Sequence, residues 1–295
     1  GKPRVLMGIG LFSLGLHAVL AWGFALQGWL GEPLGVVGCG LSNVVVAWLA
    51  CLSGALYLAF GPLGRRYRPF ANWAMPQWAT WRELLRLGVP MGLSNLVEIT
   101  SFTLISLFIA SLGATVVAGH RIVANLSALT YMLPLSLAIA TMAALAQAVG
   151  AHDRARARAT IRAGLWLAAA SSSVVGLLLW LAAAPVVAAY TDDPGVRLVA
   201  VGLIAYVAIY QFFDALQTIA GHCLRAYRVT FVPMLVQTFC FWGIGLLGGA
   251  WLCYRAPSPL GVAGFWLASV ISLIFAAGLL LPLLRKALTA SESML

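Results

Sequence analysis

Pro33-Leu34-Gly35-Val36-Val37-Gly38 opens one long apolar run, and Pro259-Leu260-Gly261-Val262-Ala263-Gly264 opens another 226 residues later. The same offset places Lys2 on Arg228, each a basic residue ahead of the apolar run that leads into its copy. Apolar runs long enough to cross a bilayer, roughly 20 residues each, recur along the whole chain. Eight are read, over residues 5–27, 36–60, 86–112, 116–149, 161–190, 198–222, 230–253 and 261–284. Six spans therefore separate the two copies. The repeat unit is six helices in parallel orientation, the layout of transporters built from two similar halves. The third to eighth spans make one complete unit, and the first two make the last third of another. On that reading four spans belong ahead of Gly1, and the chain is a fragment. The expected divisions are 1–60 for the last two helices of an N-terminal lobe, 61–85 for a cytoplasmic linker, 86–285 for a six-helix C-terminal lobe and 286–295 for a cytoplasmic tail.

Composition points the same way. The chain is 62% hydrophobic and 9% charged, against about 25% charged in soluble domains. This predicts an all-α polytopic membrane protein with eight transmembrane helices, because a helix satisfies its own backbone in lipid. The net charge of +10 then marks cytoplasmic loops and anionic headgroups, not nucleic acid. With these spans, 15 of the 18 basic residues fall on one side. They are Lys2 and Arg4, the arginines between Arg65 and Arg86, those between Arg154 and Arg162, Arg225 and Arg228, and Arg285 with Lys286. Arg121, Arg197 and Arg255 are the exceptions. Both ends of the chain are expected in the cytoplasm, with Glu32 and the Asp192-Asp193 pair on the opposite side. The run Asp153–Arg162 reads as a solvated cytoplasmic turn. The five cysteines lie in or beside apolar runs without metal spacing and read as membrane-buried thiols.

Function starts from the acids. The chain has eight, and of these Glu98 and Asp214 lie deep in apolar stretches. A carboxylate there costs about 2.5–3.5 kcal/mol on insertion scales. Glu98 lies 12 residues past Arg86, and Asp214 lies 11 residues before Arg225. At about 1.5 Å per residue both sit roughly 16–18 Å from the cytoplasmic interface, near the midplane of a core about 30 Å thick. Each acid rides on a polar stripe. Ser94, Asn95 and Ser101 accompany Glu98; Tyr210, Gln211, Gln217 and Thr218 accompany Asp214. Those stripes are expected to face the bundle interior, where the two carboxylates share one site. Two carboxylates crowded in hydrocarbon resist carrying two charges, and a bound proton or small cation relieves that cost. In the alternative reading each acid bonds a neighbouring helix and serves packing alone. For Tyr210, Gln211 and Gln217, helix–helix glue is an equal alternative.

Other chemistry is absent from the sequence. His17, His120, His152 and His222 lack Cys or acidic partners at ligand spacing, so no metal site is read. No G-x-x-x-x-G-K-[ST], nucleophile elbow or H-E-x-x-H occurs. Neither enzymatic activity nor a cofactor beyond a coupling ion is expected. Pro90, Pro134, Pro185 and Pro233 lie within or at the ends of spans and suit bending; static kinks are the equal alternative.

Gly88-Val89-Pro90, Glu98, Ala118-Gly119-His120-Arg121-Ile122, Asn125 and Pro134-Leu135-Ser136 together resemble the start of the C-terminal lobe of multidrug and toxic compound extrusion (MATE) transporters. Tyr210-Gln211-Phe212-Phe213-Asp214-Ala215-Leu216-Gln217, followed by Leu224-Arg225-Ala226-Tyr227, resembles that family's tenth helix. The stretch Pro259–Trp266 resembles the start of its twelfth. The resemblance covers nearly the whole chain and is nearest the bacterial branch with cation-coupled antibiotic exporters. It implies two six-helix lobes around a central cleft, with the eight spans as helices five to twelve. It implies a cation site for H⁺ or Na⁺ at Glu98 and Asp214, with Tyr210 in the same cluster. It also implies a substrate cavity to which Tyr131, Asn125, Asn95, Gln211 and Gln217 contribute, Tyr131 offering an aromatic face to a cation. Relatives often carry two asparagines in helix five where this chain has His17 and Ala21, so coupling is expected to lean on the C-terminal lobe.

The expected function is a monomeric secondary antiporter of a bacterial inner membrane that exports amphipathic, often cationic drugs in exchange for H⁺ or Na⁺. A lipid-linked oligosaccharide flippase of the same superfamily would want a cleft rich in arginine at midplane depth, where none is read here. A membrane-embedded transferase would want a catalytic His or Asp near an interface. A non-transporting remnant is the third alternative.

Overall fold

The computed structural model describes residues 3–29, 31–61 and 77–293. The expected linker arginines Arg65, Arg66 and Arg68 lie outside the described residues. Among the described residues, eight helices are long and apolar enough to cross a membrane. They are α1 (Pro3–Ala25), α2 (Val36–Phe60), α3 (Trp78–Ile109), α4 (Ala114–Gly150), α5 (Arg154–Leu181), α6 (Pro194–Ala226), the composite α7 (Phe231–Tyr254) and α8 (Val262–Ser293). The chain divides into two compact units, Gly1–Gln77 and Trp78–Leu295.

The first unit is the hairpin of α1 and α2. Gly35, at φ +54°, turns the chain into α2. The Leu34 and Gly35 amides donate to the Phe24 and Ala25 carbonyls at 3.0 and 3.2 Å. Gly38 then passes so close to the end of α1 that a Cβ there would stand 2.7 Å from the Ala25 nitrogen. The second copy of the motif is built alike. Gly261 has φ +57°, and the Leu260 amide donates to the Leu252 carbonyl at 3.1 Å. A Cβ on Gly264 would stand 2.9 Å from the Cys253 nitrogen. The repeated Pro-Leu-Gly-Val-x-Gly therefore does one physical job twice. Its first glycine makes a left-handed turn without a Cβ clash, and its second permits a backbone-to-backbone helix crossing.

In the second unit α6 is the hub, packed along α4, α5 and α8. Asp193 caps it, its side chain accepting from the Gly195 and Val196 amides at 2.7 and 3.2 Å, with Pro194 in the first turn, where a missing N–H costs nothing. Small residues let the helices close in. A Cβ on Gly176 of α5 would lie 2.8 Å from the Ala208 oxygen of α6. Large apolar side chains such as Trp166 and Leu198 point outward and stay exposed, as a lipid-facing surface requires.

Several helix ends differ from the expected ones. α3 starts at Trp78 rather than 86, because Trp-Arg-Glu-Leu-Leu-Arg contains no breaker; Glu83 in this added stretch pairs with Arg228 at 2.7 Å. The run Asp153–Arg162 is not a turn. The Asp153 carboxylate accepts from the Arg156 amide at 3.0 Å, and the Arg-Ala alternation that follows is strongly helix-forming. α5 ends at Leu181, and Pro185 falls in a separate short helix, Ala183–Ala188. α8 continues past 284 to Ser293, so the expected tail is mostly helix. Finally, α7 widens into a π-helix over Phe239–Gly248. Two of its carbonyls are taken by neighbours: Ser272 Oγ donates to Cys240 O at 2.7 Å and Ser101 Oγ to Phe241 O at 3.1 Å.

Candidate functional site

α3 and α4 follow each other in sequence yet pack against each other far less than α4 packs on α6. A cavity of about 370 Å³ lies among these three helices. Glu98 comes from α3, Tyr131 from α4, and Tyr210 with Asp214 from α6; all four line it. Asp214 is 3% exposed and Tyr210 5%, while Glu98 and Tyr131 are half-buried. Helical spacing explains the placement. Tyr210 and Asp214, one turn apart, share a face of α6. Ser94, Val97 and Ser101 form the buried side of α3, and Glu98 sits at its margin.

The walls are mixed. Ile99, Phe102, Ala124 and Ala128 supply apolar surface. The Tyr210 ring stands edge-on to Phe102 and Trp266, with centroids 6.1 and 6.0 Å apart. Such pairs hold an aromatic wall in place. Arg121 also lines the cavity. Arg121 lies only about two turns from the start of α4, so it leaves the expectation of no arginine at midplane depth standing. The signal for a lining cation was available, since Arg121 falls within the fourth apolar run, where a cation is as costly as an acid.

Asp214 is tied into a chain of amides. Gln217 Nε2 donates to Asp214 Oδ1 at 3.0 Å and to Thr218 Oγ1 at 3.1 Å. Gln217 Oε1 accepts from Gln237 Nε2 of α7 at 3.3 Å. Asp214 is thus linked through Gln217 to α7. A second cavity, about 250 Å³, takes in Asn95, Gln217, Thr218, His222, Gln237 and Arg225. Glu98 and Tyr131 line it as well as the first, so they form the partition between the two. Arg225 Nη2 donates to Asn95 Oδ1 at 3.4 Å. Arg225 sits in the last turn of α6, and its long stem reaches the second cavity, which Glu98 also lines.

Two expected cavity residues lie elsewhere. Gln211 donates through Nε2 to the Ser127 carbonyl at 3.0 Å and to Thr130 Oγ1, so it straps α6 to α4 and lines neither cavity. Asn125 is exposed; its Oδ1 accepts from the Tyr190 hydroxyl at 3.0 Å. Ser101, on the expected stripe, serves the α3–α7 contact. His120 bonds Ser106, a cavity-lining residue, through Nε2 at 3.2 Å, a link that no motif announced.

Chemically the first cavity offers two carboxylates and two phenols against one guanidinium. Hard oxygen donors of this kind suit a proton or a small alkali cation better than a soft metal. The aromatic and aliphatic walls suit a flat, amphipathic organic molecule.

Residues 90–251 match the sequence profile of the MatE family. Over 289 residues the chain is 50% identical to a probable multidrug resistance protein NorM of Aromatoleum aromaticum, covering 97% of this chain and 62% of that protein. Over 280 residues it is 33% identical to the multidrug resistance protein PmpM of Pseudomonas aeruginosa, covering 94% and 58%. The chain thus spans about six-tenths of the length of these curated relatives. Among solved structures, the eukaryotic MATE transporter AtDTX14 superposes with a TM-score of 0.84 at 19% identity, over 98% of this chain and 64% of that one. An outward-facing multidrug resistance MATE family transporter of the MOP superfamily gives 0.85 at 18% identity, over 97% and 63%. At such identity these structures speak for the fold.

Proposed function

The chain belongs to the MatE family, and from that we propose that it carries the cation-coupling part of a secondary drug antiporter of a bacterial inner membrane. Glu98 and Asp214 take H⁺ or Na⁺, and the cavity between α3, α4 and α6 takes an amphipathic cationic drug. The relatives' description as multidrug resistance proteins supports the drug class. The observation that carries the reading is that Glu98 and Asp214, 116 positions apart in sequence, line one partly apolar cavity.

Charge counting supports exchange. With both carboxylates ionised, the cavity holds two negative charges and Arg121, a net of one negative. It then attracts a monocationic drug. A bound proton or Na⁺ brings the net to zero and removes the attraction, so coupling ion and drug compete for the same charge. A ligand drives a conformational change only through different affinities for the two states, and this competition provides such a difference. One arginine against two acids is also a poor cradle for a polyanionic lipid-linked sugar, which disfavours the flippase reading. Within this proposal the unit that starts at Trp78 is the coupling lobe, residues 1–60 belong to the partner lobe, and both ends of the chain lie in the cytoplasm.

The test uses the gene as it stands in the genome, expressed in everted vesicles, with cationic dye export driven by either a proton or a sodium gradient. Glu98→Gln and Asp214→Asn keep size and hydrogen-bonding capacity but remove the charge. Each is expected to abolish gradient-driven export at unchanged expression. Wild-type export with both substitutions present refutes the proposal.

A further inference from the structure

A third cavity, about 580 Å³, lies away from the acids, in a groove between α5 and α8. Arg158, Arg162 and Leu165 line it from α5, and Leu281 and Arg285 from α8, with Leu216 of α6 as its floor. The spacing makes this a built groove. On α5, positions 158, 161, 162 and 165 fall on one helical face; on α8, positions 281, 284, 285, 288 and 289 do the same. The two faces run antiparallel for about two turns, roughly 10–12 Å.

The lining is graded along that length. Leu165, Leu281 and Leu216 occupy the end toward the middle of the bundle. Arg158, Arg162, Arg285 and the Thr289 hydroxyl occupy the end toward the start of α5 and the close of α8, with Ile161, Leu284 and Leu288 set between them. Among the described residues no acid lines it. Asp153, ahead of α5, is committed to capping that helix, and Asp214, two positions before Leu216, lines the first cavity instead. Arg162 and Arg285 make no ion pair among the described residues. Both are exposed at the groove while their neighbours Ile161 and Leu284 are buried. A membrane-spanning bundle thus presents a slot that is apolar in depth and cationic at its mouth.

We propose that this groove binds one anionic phospholipid, its phosphate held by Arg162 and Arg285 and an acyl chain laid along Leu165, Leu281 and Leu216. Guanidinium forks match phosphate oxygens in geometry and charge. The length of the groove matches the upper part of an acyl chain, and the grading matches the polarity of a lipid standing upright in its leaflet. Basic pockets between membrane helices recognise headgroups in this manner. A free phosphate would use the arginines and leave the leucine floor unused. The site is separate from the acids and does not rest on the antiport reading.

The test is lipid titration of the detergent-purified chain by native mass spectrometry. Phosphatidylglycerol, phosphatidylcholine and inorganic phosphate are the probes. The expected result is saturable binding of one phosphatidylglycerol, with phosphatidylcholine bound far more weakly. Arg162→Gln with Arg285→Gln weakens phosphatidylglycerol roughly fivefold per arginine, about thirtyfold together. Arg154→Gln with Arg156→Gln, an equal charge change outside the groove, leaves it near wild type. Leu216→Trp, which fills the floor without touching charge, removes the lipid and leaves thermal stability intact. Equal binding of both lipids overturns the proposal, as does an equal loss in the Arg154/Arg156 control. Retained phosphatidylglycerol in Leu216→Trp, or its displacement by millimolar phosphate, reassigns the groove to free phosphate and likewise overturns it.

Discussion

Substituting Gly264 by alanine tests the helix crossing at the second copy of the repeat. The new Cβ would lie 2.9 Å from the Cys253 nitrogen and 3.0 Å from the Leu252 carbonyl carbon. Both are backbone atoms, so no rotamer change relieves the contact. Either α8 or the end of α7 must move by several tenths of an ångström. Overpacking of this kind costs about 1–3 kcal/mol. Alanine regains up to about 1 kcal/mol of helix propensity over glycine. The net is a loss of up to about 2 kcal/mol, or up to roughly 8 °C in Tm for a unit of this size, and the cost relative to Gly278→Ala is the full overpacking term of about 1–3 kcal/mol. Gly278 in the same helix has nothing within 4 Å of its would-be Cβ. Gly278→Ala therefore isolates the propensity gain and should leave Tm unchanged or slightly raised. The assay is thermal unfolding of the detergent-solubilised chain, followed by tryptophan fluorescence. A Gly264→Ala protein as stable as Gly278→Ala would mean that the helices do not meet backbone to backbone there, and the physical account of the motif would fall with it.

Three further outcomes follow from the site. Gln211→Leu strips the strap to Ser127 and Thr130; it should cost about 1–3 kcal/mol of stability, read by thermal unfolding, while dye export stays gradient-driven. Arg121→Gln removes the one cation of the first cavity and should tighten binding of a monocationic dye by about fivefold, on the order of 1 kcal/mol; fluorescence anisotropy reads this, and unchanged or weaker binding would contradict the charge count. Gln217→Leu leaves Asp214 Oδ1 without its amide donor; sodium or proton competition against bound dye should shift by several-fold at unchanged cavity volume, measured by the same anisotropy titration.

Much of this was legible in the chain. Eight apolar runs became eight helices because a backbone in lipid has few other ways to satisfy itself. Glu98 and Asp214 line one cavity as their equal depth implied. The misplaced residues fail for a geometric reason. Tyr210 and Gln211 are adjacent in sequence and so about 100° apart around α6; one turns to the cavity and the other to α4. A stripe read from spacing names a broad face, and two destinations fit within it. Arg225 differs. Its Cα marks a helix end, as read, but the contact its guanidinium makes with Asn95 lies at the tip of a long, flexible stem, which spacing does not locate. The helical start of α5 was hidden because a basic, polar run resembles a loop in composition, while one capping aspartate and a run of good helix formers decide the outcome locally. The π-segment of α7 had no sequence signal beyond its glycines.

The paired glycine turns bear on how the chain assembles. Each turn joins two helices through contacts about a dozen residues apart, Phe24 and Ala25 with Gly38, and Leu252 and Cys253 with Gly264. Closing so short a loop carries little entropic cost, and nothing in either contact draws on the rest of the protein. Each hairpin can therefore lock as soon as its second helix has entered the bilayer. The first cavity, by contrast, needs α3, α4 and α6, whose lining residues are far apart in the chain. The two glycine turns thus act as local fasteners, each set by its own pair of helices, while the acids depend on contacts that span more than a hundred residues.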